Sequence, residues 1–439
     1  MLIEFAVENF KSLKDLTQFS MLSTRRAELP NHKLLLPGTK PPKYVNKVAV
    51  FFGSNASGKS NILSAFGRMC SMVKTLGISR EDENNFNESF YTPYALCKES
   101  QKQLTMFQAI YMVNNVYFRY GFTYDLNQIC GEWLYSGKIE HEICIFMRNS
   151  DLKVEFCDVE KNKRTQFTKL KEHLTKTNLF LSVGADLKNR TLSNAAIFFN
   201  NIIKLPSKNI PLVLLHNSMD RFMPILGDLL SFADTGITNI EKKKEKIEWK
   251  EPPTAFPDGL KELVSVIKKL HEKSEESGHE MLVFNHSSLS DGNDCPLHEK
   301  DESSGTIAYL RLAFLICRIL YNNSIAIVDE LDENLHPLLI ARILQFFTSI
   351  DRSTAQLICT SHTPIIFSPK VLRRDELWMT EKEMEGRTFI NCAADYKDTR
   401  KNQNLTQRYL EGLYGGVPLF NNEYMASAIE KVNMLLSSK

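Results

Sequence analysis

Residues 53–60 read Gly-Ser-Asn-Ala-Ser-Gly-Lys-Ser, preceded by Lys47-Val-Ala-Val-Phe-Phe52 and followed by Asn61-Ile-Leu-Ser-Ala-Phe-Gly-Arg-Met69. The octapeptide fits G-x-x-x-x-G-K-[ST], a pattern whose chemistry lies in its backbone. Glycines let the chain curl so that successive N–H groups point at phosphate oxygens, and a helix starting near Lys59 adds the positive end of its dipole. The flanks agree with this reading. Val48 to Phe52 is uninterruptedly apolar, as in a strand covered on both faces. Ile62, Leu63, Phe66, Met69 and Val73 recur at helical spacing. A chance Gly/Ser loop would lack both flanks. The expected phosphate contacts are Gly53, Ser54, Asn55, Ala56, Ser57, Gly58, Lys59 and Ser60, with Lys59 on the outer phosphates and the Ser60 hydroxyl on Mg²⁺.

A site of this kind needs a second strand ending in carboxylates. Ser324-Ile-Ala-Ile-Val-Asp-Glu330 supplies one: Ile325 to Val328 read as a buried strand, Asp329 is placed to hold the metal, and Glu330 to orient or deprotonate an attacking water. Glu330, the next residue, is expected to point to the other side of the pleat from Asp329.

The remaining chain divides by texture. Of its 439 residues, 43% are apolar and 10% aromatic, enough for a core and too long for a single one. Lys and Arg number 54 against 52 acids, so the net charge of +2 offers no global attraction to nucleic acid or to an acidic membrane. Nine cysteines stand singly without a C-x-x-C pair, which fits reduced thiols. The start, MLIEFAVENFKS, is not a signal peptide, and no apolar run approaches the ~20 residues of a membrane span. The expectation is a cytoplasmic protein without membrane contact. Leu2 to Val7 and Leu16 to Leu22 suit paired strands, and 104–133 a meander turning at Asn114-Asn115. From Ser303 helix and buried strand alternate, which implies a parallel sheet. We expect an N-terminal lobe over 1–133, an inserted and largely helical region over 134–285 that includes a helix near 259–278, and a C-terminal lobe over 286–439.

Several further segments carry a resemblance to the ABC-type ATPases. Asp301-Glu-Ser-Ser-Gly-Thr306 resembles their signature, with Ser304 and Gly305 heading a helix that can receive a γ-phosphate. Leu331-Asp-Glu-Asn-Leu-His-Pro337 resembles the D-loop, and Cys359-Thr-Ser-His-Thr-Pro364 puts His362 at the switch position. Asn9-Phe-Lys-Ser12 is similar to the N-terminal motif of the RecF, Rad50 and SMC branch, implying that Lys11 and Ser12 lie near the nucleotide. The implied fold is α/β: a P-loop ABC-ATPase head with a mixed β-sheet core, an antiparallel β lobe and a helical insertion.

Within this class, LLSFADTGITNIE, RRDELWMTEKEMEG and above all YLEGLYGGVPLF from Tyr409 resemble the OLD/RecF-like ATPases of anti-phage defence modules, such as the ATPase subunit of PARIS-type and abortive-infection systems. OLD-type nucleases add a metal-binding D-x-D, and none occurs after His362, so the resemblance implies an ATPase using ATP and Mg²⁺ that is not itself a nuclease. It further implies a homodimer or higher oligomer with ATP clamped between the glycine loop of one copy and the signature of another. A separately encoded nuclease or toxin would be the effector and a phage-derived component the trigger. The alternative is a DNA-repair or chromosome-maintenance ATPase of RecF type, for which Arg25-Arg26, Lys161 to Arg164 and Lys242 to Lys246 could meet DNA. Gln108 and Gln103 both remain open as the Q-loop residue. YLEGLYGGVPLF reads from its residues as a packing segment with a glycine turn.

Overall fold

The computed structural model describes residues 1–24, 28–78, 90–156, 167–204, 216–245, 279–287, 294–383, 385–396, 404–418, 420 and 422–437. The chain forms two compact units, Met1–Lys204 with Asn322–Leu331 and Leu344–Lys439, and Leu205–Tyr321 with Asp332–Ile343.

The first unit is built around a six-stranded sheet in the order Ile202–Lys204, Ile325–Val328, Gln356–Thr360, Val48–Gly53, Leu377–Lys382, Thr388–Cys392. All neighbours are parallel except the last pair. Every residue of Val48–Gly53, Ile325–Val328 and Gln356–Thr360 is buried, which is why these strands read as continuous apolar runs. Because they are parallel, their carboxyl ends lie along one edge, where open α/β sheets bind ligands.

A seven-stranded antiparallel sheet completes the unit, with Leu2–Glu8 between Thr17–Ser20 and Thr105–Val113 and the meander running outward to Val154–Glu155. The Asn114-Asn115 turn has left-handed backbone at both positions, φ +50° and +62°, as a two-residue hairpin requires. The two sheets are tied by aromatic side chains: Phe19 meets Phe51 at 5.2 Å between ring centroids and Trp378 at 6.2 Å. The helix Lys59–Thr75 buries Ile62, Leu63, Phe66, Met69 and Val73, the stripe its spacing predicts. Phe66 packs 5.1 Å from Phe5 of the antiparallel sheet and 6.5 Å from Phe198 of the helix Arg190–Asn200.

Two buried carboxylates in this unit are locally satisfied. Glu132 accepts hydrogen bonds from the backbone of Phe180 and Leu181 at the start of the helix Phe180–Asp186, at 2.7 and 2.9 Å, and from the Tyr120 hydroxyl at 3.0 Å. Ahead of strand Leu377–Lys382, Glu376 takes the Arg373 N–H at 2.7 Å and lies 2.9 Å from His32 Nδ1. Burial raises the Glu376 carboxyl above its usual pKa, with His32 opposing.

The second unit holds a three-stranded antiparallel sheet, Ile237–Glu245, His279–Ser287 and Asp294–His298, and the helix Met223–Phe232. Phe222 rests against Phe314 and Tyr321 of the helix Ser304–Asn322, at 5.9 Å from each.

Two expectations need correcting. The boundary at 133/134 falls inside the strand Ile129–Lys138, because the meander continues through His141–Asn149 to Val154–Glu155. The described part of 134–285 is therefore not largely helical: the alternating segments from 129 to 155 complete a sheet, and 237–245 and 279–287 pair as strands. The helix expected near 259–278 lies outside the described residues. Among the described residues Ser304–Asn322 is the one helix long and apolar enough to cross a membrane by length and composition, and 56% of its apolar window is buried within the protein, as in a core helix. Eight cysteines are free thiols, and Cys157 lies outside the described residues.

Phe66 joins helix to sheet with no polar atom to lose. Phe66→Ala is expected to cost about 3–5 kcal/mol, read as an earlier urea-unfolding transition followed by far-UV circular dichroism.

Candidate nucleotide-binding site

The loop Gly53–Gly58 leaves the carboxyl end of the central strand and enters the helix Lys59–Thr75 through Gly58, at φ +107°. No other residue fits at either glycine. A Cβ on Gly58 would stand 2.1 Å from Thr388 Oγ1, and one on Gly53 2.1 Å from Thr380 Oγ1 and 2.5 Å from Ser57 Oγ. Ala56, at φ +63°, gives the loop its remaining left-handed bend. The Lys59 ammonium is held in the loop by the carbonyls of Gly53 and Ser54, both at 2.8 Å.

A chain of hydroxyls fixes this curl from outside. Ser57 Oγ and Thr380 Oγ1 are 2.6 Å apart, and Thr380 Oγ1 donates to Phe52 O at 3.0 Å. Thr388 Oγ1 lies 2.8 Å from Ser57 O and 2.7 Å from Ser12 Oγ, which also accepts from Asn61 Nδ2 at 2.7 Å. Ser12 thus touches the phosphate loop's supports, and its carbonyl accepts Thr388 N at 2.9 Å. Thr380, Thr388 and Asn61 carry no local signal in the sequence. They become visible only when strands Leu377–Lys382 and Thr388–Cys392 are laid beside the loop.

Lys11 reaches Ser64 Oγ at 2.9 Å, one helical turn beyond Ser60. Its left-handed backbone, φ +51°, belongs to a tight turn closed by Phe10 N to Leu13 O at 2.9 Å. Burial lowers the Lys11 pKa below the usual lysine value, Arg68 and Lys204 lower it further, and Asp329 opposes them. Basic charge is therefore gathered beside the loop although the chain as a whole is nearly neutral.

The second strand arrives as its sequence implies. Asp329 Oδ1 accepts from Ser60 Oγ at 3.0 Å and from Thr360 Oγ1 at 2.7 Å. Two hard oxygen donors, Ser60 Oγ and Asp329, fit Mg²⁺, which keeps most of its shell as water and phosphate. Among the described residues no cluster of three or more His, Cys, Asp or Glu side chains competes as a metal centre.

Glu330 departs from the pleat argument. The strand stops at Val328, and Glu330 sits at φ +53°, in a turn held by its N–H to Thr360 Oγ1 at 2.7 Å and by Leu331 N to Thr360 O at 3.0 Å. Its exposed side chain is aimed by this turn and not by strand alternation. His362 is exposed two residues past the neighbouring strand and lines a 570 Å³ cavity with Gly53, Ser54, Asn55, Pro364, Tyr409, Leu410, Val417, Pro418 and Phe420.

The first unit thus brings together Lys11, Ser12, Gly53 to Ser60, Asp329, Glu330 and His362. Ser304 and Gly305 belong to the second unit. They open the helix Ser304–Asn322, whose first turn is capped by Ser303, the Oγ of which accepts Thr306 N at 3.0 Å. Ser304 is exposed, and a Cβ on Gly305 would lie 3.2 Å from Asn334 O in the D-loop-like segment. Gln108, one of the two Q-loop candidates, accepts the Trp133 indole N–H at 3.0 Å.

A family model described as "AAA domain, putative AbiEii toxin, Type IV TA system" matches residues 48–368. No curated protein matches the chain. Among solved structures it is similar to an SMC head bound to the C-winged helix domain of ScpA, at 12% identity and a TM-score of 0.40, covering 89% of this chain and 96% of that one. It is also similar to the SMC head domain from Thermotoga maritima, at 14% identity and a TM-score of 0.38, covering 89% and 98% of the two chains.

A left-handed backbone at a glutamate is unfavourable, and glycine would adopt it freely. Glu330→Gly is therefore expected to raise folded stability by up to about 1 kcal/mol, measured by thermal or urea denaturation. A loss would mean that the carboxylate itself stabilises the turn.

Proposed function

The chain belongs to the AAA-domain family whose model spans residues 48–368, and on that premise we propose that it binds and hydrolyses Mg-ATP at this loop. The observation that carries the reading is the 3.0 Å approach of Ser60 Oγ to Asp329 Oδ1 at the mouth of a glycine loop. Backbone N–H groups of 53–60 and the helix start bind phosphate oxygens, and Lys59 places its ammonium among them. Ser60 and Asp329 would hold Mg²⁺, which when bound would neutralise charge on the phosphates. Glu330 accepts the proton of the attacking water, and His362 borders the same space.

Ser304, exposed, and Gly305, half-buried, at the start of a helix suit a phosphate presented by a second copy. We propose that two copies clamp ATP between the loop of one and this helix start of the other. Loss of the outer phosphate would then remove contacts made only in the closed state. The toxin and toxin–antitoxin wording of the family description supports a role in abortive infection. In this reading the chain is the sensor or regulatory subunit of an anti-phage system, and ATP-dependent association holds or releases a separate effector in response to a phage-derived trigger. The RecF-like alternative needs free basic surface. Of its clusters, Lys242 is paired with Asp220 and Lys243 with Glu241, while Arg25-Arg26 and Lys161 to Arg164 lie outside the described residues.

Lys59→Ala is expected to weaken ATP binding roughly 10- to 100-fold through loss of charge-assisted hydrogen bonds, measured by calorimetry. Glu330→Gln should keep binding while hydrolysis falls by roughly 10²–10⁴, with the ATP-bound assembly persisting in size-exclusion light scattering. Hydrolysis at the wild-type rate by the Gln variant would remove Glu330 as the base. Mixing Lys59→Ala with Ser304→Arg, each inactive alone, should restore measurable hydrolysis if the site is shared between copies. Salt-sensitive binding to duplex DNA would instead favour the repair reading.

A further inference from the structure

The segment Leu405–Pro418 lies outside the stretch matched by the family model, yet it crosses the beginning of the phosphate loop. At Gly416, φ +73°, a Cβ would lie 3.4 Å from Gly53 Cα, 3.6 Å from Thr380 O and 3.7 Å from Phe52 O. These neighbours are all backbone, so the two chain segments meet with no side chain between them. The crossing is anchored by packed aromatic rings. Tyr409 lies 5.0 Å from Phe367 and 5.8 Å from Phe52, the residue just before the loop, and Tyr414 lies 5.4 Å from Phe367 and 5.2 Å from Tyr396. The short helix Leu405–Leu410 is capped by Asn404 and tied to the same ring by Thr406 Oγ1 to Phe367 O at 3.1 Å. The arch then folds back on itself: Gly412 and Gly415 have φ +80° and +70°, and Val417 covers Gly412 so closely that a Cβ there would meet its Cγ2 at 3.2 Å.

Resting on the ATPase reading above, we infer that the Tyr409–Val417 arch is a positioning element of the nucleotide site, with Gly416 as its contact on Gly53. It braces the first turn of the phosphate loop at Gly53, beside the Thr380 backbone, and it supplies the apolar wall of the cavity that His362 shares with Gly53, Ser54 and Asn55. A brace of this kind acts on where the loop's N–H groups point. Its loss is felt in reaction rate and nucleotide affinity more than in folding, because small misplacements of a positioned group are amplified in the rate.

Gly38 provides the control. Its φ of +78° imposes the same backbone strain on an alanine, with nothing within 4 Å of the added Cβ. Melting temperature, ATP dissociation constant and kcat are to be measured for wild type, Gly416→Ala, Gly38→Ala and Val417→Ala. The expected result is a comparable fall in melting temperature for the two glycine variants. The added Cβ at Gly416 stands at ordinary van der Waals distance from Gly53, Thr380 and Phe52, so the effect comes from relaxation of its φ of +73°, which shifts the arch where it meets the loop. Only Gly416→Ala should lose kcat, roughly several-fold, with Val417→Ala showing a smaller loss in the same direction. If Gly416→Ala does not fold, Val417→Ala decides alone: wild-type kinetics there overturn the inference. Equal kinetic losses in Gly38→Ala and Gly416→Ala, or none in either, overturn it as well. A wild-type chain that neither binds nor hydrolyses ATP removes the ATPase reading itself and the inference with it, an outcome distinct from active wild type with unaffected variants.

Discussion

Ser60 and Asp329 are 269 residues apart in the chain and 3.0 Å apart at the hydroxyl and carboxylate oxygens. Everything at the site depends on the constraint that closes this distance. Three strands, Val48–Gly53, Gln356–Thr360 and Ile325–Val328, run parallel and in register, Val48 beside Leu357 and Ile325 beside Gln356. Parallel strands have to end together for their loops to converge, and the ends here are Gly53, Thr360 and Val328, with Asp329 directly after the last. Thr360, in the middle, makes the link: its hydroxyl donates to Asp329 Oδ1 and accepts the Glu330 N–H. One side chain therefore sets both the carboxylate that faces Ser60 and the turn that aims its neighbour.

How much of this was legible in the sequence follows from how local each signal is. The strand, glycine loop and helix at 48–75 are written within thirty consecutive residues as an apolar run, a loop pattern and a 3.6-residue period, and the structure has all three. Ile325–Val328 and Gln356–Thr360 were equally readable, because a strand buried on both faces leaves no alternation to be confused by. The meander beyond residue 133 was not. His141–Asn149 is half-exposed and carries charged residues, so its pattern is that of a solvated face as much as of a strand. The hydroxyls of Thr380 and Thr388 were out of reach for a different reason. A single threonine in a strand is ordinary β composition, and its function as a support for Ser57 exists only after Leu377–Lys382 has paired with Val48–Gly53.

The same logic separates the two glycine-rich stretches. GSNASGKS announces itself because its glycines, lysine and serine have fixed offsets and each has a chemical use. YLEGLYGGVPLF has equally constrained glycines, but the constraint comes from other parts of the chain: Glu381 beside Gly415, and Gly53 beside Gly416. Its aromatic residues read correctly as packing, since Tyr409 and Tyr414 join the Phe52–Phe367 ring cluster. What composition could not supply was the partner of that packing, the residue immediately before the phosphate loop. On the inference drawn above, the packing segment also serves the site, because the residue it packs against directly precedes the phosphate loop.

Glu330 shows where local reasoning and structure part for a physical cause. Alternation assumes that the strand continues, and it ends two residues earlier because Thr360 captures the Glu330 N–H and forces a left-handed turn. Strain of this kind persists only where surrounding structure over-determines it. Here the determinants are bonds from one neighbouring residue, its hydroxyl and its carbonyl, to Glu330 N and Leu331 N. A glycine would relax the turn, so the presence of a glutamate is unexplained by the fold. A carboxylate kept in an unfavourable backbone, beside a metal-competent aspartate and at the shared edge of three parallel strands, fits the role of base proposed for Glu330.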